Sequence, residues 1–356
     1  MKSILIKLLF ILLGSVFLFY LFYSPSSKFD ILENPAKDKV SHKQIEKRIT
    51  HSVKQPALTE GIGQYIGKSI DVLTNKFGYP NRIYSSNFSY RNFVYKLKDA
   101  YYIVGVKDNR IKMIYATGKH ADVAPYQILS PSGKIFDGSN IVSEPIISTK
   151  DGDYQFQLSE ADIKTQALVE YEGLFMQVFI DRFTGKMMAV RYLSPDTLVE
   201  MQPYAMSYNG KTIEKKLKDE VHRIEEIAIN SNEVLTMFEL TNTMRELNAL
   251  EPLDTNEIIN HTAQFQVAKL SNEKQQVTSV EDEIGSKLSA EGIDYHHLSQ
   301  NIAYNFEDVP GVINSWMNSV EHRNNLLNKN INAMGGGISG SYNSLIFLED
   351  LSLKED

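Results

Sequence analysis

From Leu8 through Tyr23 the chain carries no charged side chain, and only Gly14 and Ser15 interrupt its apolar character. Such a stretch has no polar face to turn to water, so it does not suit an ordinary surface helix. Extended back to Ile4 it reaches the roughly 20 residues that cross a bilayer, with Lys7 snorkelling to the headgroups. Lys2 and Lys7 hold that end on the cytoplasmic side. The stretch ends in Phe22-Tyr23-Ser24-Pro25, aromatic at the interface and lacking the small-x-small pattern of a cleavage site. Residues 1–25 are therefore expected to be an uncleaved single-pass anchor, with the bulk extracytoplasmic; cleavage would make the protein secreted.

No cysteine occurs among the 356 residues. This removes a disulfide framework, a thiolate zinc site and a cysteine nucleophile. An exported chain without staples needs sizeable cores, which two domains of more than about 100 residues supply. The 44 acidic residues outnumber the 37 basic ones. A general nucleic-acid binder needs the opposite balance, so no nucleic-acid partner is expected.

Residues 26–59 are polar and Lys-rich and read as a tether. Residues 60–208 change texture. A short amphipathic helix carries Ile70, Val72, Leu73 and Phe77 and stops at Gly78. Strand-like runs follow at Phe93–Leu97, Tyr101–Val106 and Ile111–Tyr115, the last two joined by an Asp108-Asn109 turn. The order recurs in Leu158–Asp162, Ala167–Tyr171, Phe175–Asp181 and Met187–Tyr192, with Phe183-Thr184-Gly185-Lys186 as connection, so two related α+β halves are expected. Gly67-Lys68-Ser69 lacks the first glycine of a phosphate loop, Ile62 standing in its place, and reads as a helix start.

Residues 209–232 have helical period, with Ile213, Leu217, Val221 and Ile224 on one face, and read as a connecting helix. In residues 233–356, Val234, Phe238, Thr241 and Met244 mark a helix to Leu247. Asp254 with Glu257 resembles a capping box before a helix expected to bury Ile258, His261, Phe265 and Ala268. A further helix spans Ile284–Ala290. Val309, Val312, Ile313, Trp316 and Met317 form one stripe, which places Trp316 in a core. Gly335-Gly336-Gly337 is expected to precede a strand paired with Leu345–Leu348.

Four ordered motifs in this half resemble bacterial CAP domains, relatives of cysteine-rich secretory and plant pathogenesis-related proteins. They are Asn242-Thr243-Met244-Arg245 with Leu250–Leu253, Ser299-Gln300-Asn301-Ile302-Ala303, Trp316–Ser319 with His322–Leu327, and Met334–Ile338. The preceding half resembles the CAP-associated N-terminal domain of Gram-positive bacteria. That likeness rests on Gly67-Lys68-Ser69, Phe77–Ile83, Tyr102–Val106 and Gln202-Pro203-Tyr204. The fold expected is α+β: a C-terminal CAP α-β-α sandwich preceded by a two-repeat α+β domain and an N-terminal transmembrane helix.

The resemblance implies a cleft with two His and two Glu able to hold a divalent metal, and this sequence departs from it repeatedly. Gln300 and Ser319 stand at the acidic positions. No histidine lies between His261 and His296, where Lys274-Gln275-Gln276 falls, and none lies in Ser344–Leu348. An amide brings no charge and ligates weakly. No cofactor and no metal are therefore expected, and the ligand cleft is assigned to Gln300, Asn301, Ser319, His322 and Arg323. The partner classes expected are an envelope component, a lipid or a protein. The competing expectation is an extracytoplasmic hydrolase with His322 as base and Glu321 or Gln300 nearby. His296-His297 are expected before a loop and exposed. Gly337–Ser341 falls short of a nucleophile elbow.

Overall fold

The computed structural model describes residues 31–34, 56–138, 141–213, 223–273, 280–306 and 308–351. The expected anchor, residues 1–25, lies outside these. Among the described residues no helix is long and apolar enough to cross a membrane.

The chain first forms a short strand β1 (Ile31–Glu33), within what the sequence presents as a plain tether. Helix α1 (Asp71–Phe77) then leads to a meander of β2 (Arg82–Ser85), β3 (Arg91–Leu97), β4 (Ala100–Lys107) and β5 (Arg110–Thr117). After α2 (Gly133–Gly138), β6 (Ile146–Ser148) and β7 (Asp153–Gln157), helix α3 (Glu160–Thr165) opens a second meander. This comprises β8 (Gln166–Tyr171), β9 (Leu174–Asp181) and β10 (Lys186–Leu193). The two meanders join through β5 and β10, where Tyr115 faces Arg191, giving one seven-stranded sheet ordered β2-β3-β4-β5-β10-β9-β8.

Alternation decides which face each side chain takes. Tyr101 and Ile103 join one core while Tyr102 and Val104 join another on the opposite face. Asp108 and Asn109 both take left-handed φ values, 49° and 61°, the conformation a two-residue hairpin turn needs. Helix α1 starts at Asp71, later than the Gly67 segment. Gly67 N–H donates to Ile111 O at 2.7 Å and Ile111 N–H to Lys68 O at 2.9 Å, so this segment docks on the β4–β5 hairpin.

Helix α4 (Pro195–Met201) is followed by β11 (Ala205–Tyr208) and β12 (Lys211–Ile213). With β6 and β7 these form a small sheet ordered β12-β11-β7-β6 that the sequence did not reveal. Ile213 pairs with Met206 in that sheet and does not begin a connecting helix. Leu217 and Val221 lie outside the described residues. The helix expected from residue 233 is part of one unbroken α5 (Arg223–Leu247).

Then come β13 (Asp254–Thr255), α6 (Glu257–Glu273), α7 (Val280–Ala290), β14 (Tyr295–Tyr304), α8 (Val309–Met317), α9 (Val320–Leu326), β15 (Ala333–Ser339) and β16 (Tyr342–Asp350). The sheet runs β1-β14-β16-β15-β13; its centre is antiparallel and both edge strands pair in parallel. Leu345 and Phe347 face α5 and α8, while Ile346 and Leu348 face α6 and α7, an α-β-α sandwich. Trp316 is fully buried among the first group.

Three local expectations are corrected. Asn256 caps α6, its Oδ1 accepting from Ile258 N–H at 2.9 Å, while Asp254 belongs to β13. The buried face of α6 is Ile259, Ala263, Val267 and Leu270; His261 is exposed and Phe265 is 57% exposed. Gly335, Gly336 and Gly337 lie inside β15, where the backbone of α6 leaves no room for a side chain at 335 or 337.

The two halves of the chain pack through buried charge. Arg191 on β10 meets Asp308, the cap of α8, at 2.6 Å. Arg82 on β2 meets Glu239 on α5 at 2.6 Å, and Tyr101 Oη donates to the same carboxylate at 2.7 Å. Burial opposes the charge on Arg82, yet its hydrogen bond to Glu239 and the negative charge of that carboxylate hold the guanidinium above its ordinary value. Burial, then the charge of Glu239, pushes the Tyr101 phenol well up.

Candidate functional site

The loop expected after His296-His297 is a strand that carries Ser299-Gln300-Asn301. They lie in β14, paired with Phe347, Ile346 and Leu345. In a strand adjacent side chains point to opposite faces. Gln300 therefore turns toward α6, where its amide is hydrogen-bonded with Gln266 and donates to Ser344 Oγ at 2.8 Å. Gln266 in turn donates to Gln300 Oε1 at 3.2 Å. Asn301 turns to the other face and donates to His322 O at 2.9 Å, while Asn325 Nδ2 donates to Asn301 Oδ1 at 3.0 Å.

The sheet thus divides the expected cleft. Gln300 lies on one side; Asn301, Ser319, His322 and Arg323 lie on the other. Gln300, Asn301 and His322 are 3%, 0% and 3% exposed, so they form packed polar layers. Ser319 sits before α9 and its Oγ is 2.9 Å from His322 Nδ1 three residues on. Glu321, next in sequence, is exposed while His322 is buried, so the two point apart.

Arg323 reaches across to the N-terminal half. Its guanidinium is 2.9 Å from Asp181, donates to Met317 O at 3.1 Å, and lies 5.2 Å from the centre of the Phe183 ring. Asn318 reinforces the contact: Nδ2 donates to Ile180 O at 2.9 Å and Oδ1 accepts from Arg182 N–H at 2.8 Å. Sequence reasoning named Arg323 for a ligand and missed both Asn318 and Asp181. The only signal was the position of Asp181 at the mouth of a hairpin.

His296 and His297 lie within β14, not before a loop. His296 is exposed and His297 half-buried, with Nε2 shielded and lacking a hydrogen-bond partner. Among the described residues no three His, Asp or Glu side chains converge as a metal site. The donors around Gln300 are amides and a hydroxyl, which do not fit the imidazole and carboxylate set of a zinc centre. Gln266, which helix α6 supplies from outside any motif, also escaped the sequence reading.

Residues 66–204 match the family described as CAP-associated N-terminal, and residues 238–348 match the cysteine-rich secretory protein family. A cysteine-rich secretory protein of Staphylococcus aureus, solved by crystallography, is 36% identical with a TM-score of 0.77, covering 90% of this chain and 99% of that one. The chain is a bacterial CAP protein with a CAP-associated N-terminal domain. A second crystal structure, of an extracellular protein containing an SCP domain from Bacillus anthracis, shares the fold of this CAP protein. Its TM-score is 0.74 at 24% identity, over 87% of this chain and 99% of that chain. The membrane protein YlbC of Bacillus subtilis is 29% identical over 98% of this CAP protein and 99% of its own length.

Proposed function

We propose that this CAP protein is held at the cell membrane by residues 1–25, displays both domains outside the cytoplasm, and serves there as a non-catalytic binding module. The observation that supports the absence of catalysis is the set of side chains around Gln300. Gln266, Gln300 and Ser344 are buried, neutral and hydrogen-bonded to one another. They offer no charge to a divalent cation and no base to activate water. The apolar N-terminal stretch supports the anchor, as does the full-length likeness to a protein named for the membrane. The ligand is an envelope component, lipid or protein. Calorimetric titration of zinc into the full chain in detergent should show no saturable uptake. One-to-one binding that disappears in His322→Ala would overturn the reading.

A substitution at the same site reads its polarity directly. Gln300→Glu puts a carboxylate into a neutral buried layer, and burial raises its pKa. The unfolded chain ionises near the ordinary value of about 4.3, so the folded state is penalised above that value and the penalty fades as pH falls below it. The expected loss is about 1–3 kcal/mol at pH 7. Urea midpoints should converge with wild type near pH 4. An equal loss at both pH values would assign the effect to shape.

The Ser319–His322 hydrogen bond favours a second reading, an extracytoplasmic hydrolase with His322 as base. Against it, His322 is 3% exposed and the pair spans the first turn of α9, the geometry of a helix start. Turnover of peptides or cell-wall fragments that is lost in His322→Ala would replace the binding reading with this one.

A further inference from the structure

A crevice of about 50 Å³ lies where the two domains meet. One wall belongs to the N-terminal domain: Leu129, with Thr184, Lys186 and Met188 from the turn into β10. The other is the end of α5 and the residue after it, Met244, Leu247 and Asn248. Neither domain holds the crevice alone, and it shares no residue with the layer around Gln300.

Its floor is apolar. Met188 and Met244 are 4% and 2% exposed and belong to the core the domains share. Two thioethers on unbranched side chains adapt to small apolar shapes. Leu129 is held beside β10, its N–H donating to Met187 O at 2.8 Å, with a φ of 67°. A bulky residue rarely takes this left-handed backbone, and such backbone gathers at ligand sites.

The rim sets the sign of the ligand. Asp181 also lines the crevice, but its carboxylate is engaged: it accepts from Phe183 N–H at 2.9 Å and meets Arg323 at 2.9 Å. The carbonyls that end α5 are capped as well. Asn248 Nδ2 donates to Met244 O at 2.8 Å, and Leu250 N–H donates to Arg245 O at 3.0 Å. Lys186 is exposed and pairs with no acidic side chain among the described residues. Its ammonium and the exposed Thr184 hydroxyl are thus the polar groups left for a ligand at the mouth.

We propose that the crevice binds a small aliphatic carboxylate, the C-terminal residue of a peptide. Lys186 and Thr184 take the carboxylate, and Met188 and Met244 receive the side chain. Volume selects the side chain. A water needs roughly 10–15 Å³ and benzene fills a cavity of about 150 Å³. About 50 Å³ therefore suits alanine or valine and shuts out a long acyl chain. This rests on the binding reading under Proposed function and gives the N-terminal domain half of the site.

Full-length protein in a maltoside detergent, isotope-labelled at the methionine methyls, would be titrated with N-acetyl-alanyl-valine. The Met188 and Met244 signals, assigned through Met188→Leu and Met244→Leu, should shift saturably. Lys186→Gln should weaken binding roughly tenfold, and Thr184→Phe, which fills the mouth, should abolish it. Lys107→Gln, an exposed lysine at the opposite end of the sheet, should leave it unchanged. Equal affinity for the C-terminal amide of the dipeptide, or undiminished binding by Lys186→Gln, would overturn carboxylate recognition. Tighter binding of dodecanoate than of the dipeptide would overturn the peptide as the source. Methyl signals that stay still would overturn the crevice and leave the non-catalytic reading to its own zinc titration.

Discussion

Gly337→Ala should destabilise the protein by about 3–5 kcal/mol, whereas Gly336→Ala should cost only about 1 kcal/mol. The contrast follows from what each new methyl would meet. At Gly337 an ideal Cβ falls 2.5 Å from Gln264 N and 2.6 Å from Ala263 C, both helix backbone. Backbone cannot rotate away, so α6 must move bodily off the sheet. Gln264 then loses two hydrogen bonds to the strand edge, from Ile338 N–H and to Ile338 O, each 3.1 Å. The similar bond from Gly336 N–H to Asn260 Oδ1 at 3.0 Å lies one helical turn away. At Gly336 the Cβ meets the ends of Phe238 and Met237 at 2.9 and 3.1 Å, and these can yield. Urea unfolding of the two variants side by side measures the difference. A Gly337→Ala protein within 1 kcal/mol of wild type would mean the helix is not seated as described.

Asp308→Asn should cost about 3–5 kcal/mol, most of it recovered when Arg191→Met is added. Arg191 is 2% exposed, stands 5.2 Å from the Phe179 ring centre, and donates to Gln177 Oε1 at 3.1 Å. Asp308 is the counter-charge and also caps α8, accepting from Gly311 N–H at 3.1 Å. Asparagine keeps the cap and removes the charge, so the variant isolates the cost of stranding a buried guanidinium. The double variant removes both charges and leaves a neutral side chain beside a neutral cap. Equilibrium unfolding of wild type, both single variants and the double variant gives the coupling. A coupling below about 1 kcal/mol would mean that solvent screens the pair.

Much of the fold was legible because it is written locally. Alternation in Tyr101–Val106 and Val178–Ile180, the Asp108-Asn109 turn and the stripe through Trp316 each fix an element from its own residues. What escaped depends on distant partners. The buried face of α6 was misread because Ile258 and Phe265 look more apolar than Ala263. The glycines of β15, over 70 positions later, select the small face by admitting the helix backbone. The same glycines were placed before the strand and not in it, because their use is a close approach. Strand β1 is three residues in a polar segment, and its partner lies about 270 positions on. In the site, Gln300 and Ser319 were legible as departures from the family pattern. Their division across the sheet was not, since a loop was assumed where a strand enforces opposite faces.

Helix α5 runs unbroken from Arg223 to Leu247 and extends about 37 Å. Thr236 and Glu239 on it engage Arg82, while Met237, Leu240 and Met244 sit in the core it shares with Trp316. A single helix therefore belongs to both packing units. Arg191–Asp308 and Arg323–Asp181 brace the same two units at further points. A sideways pull on the N-terminal domain would be felt as torque at the CAP sheet.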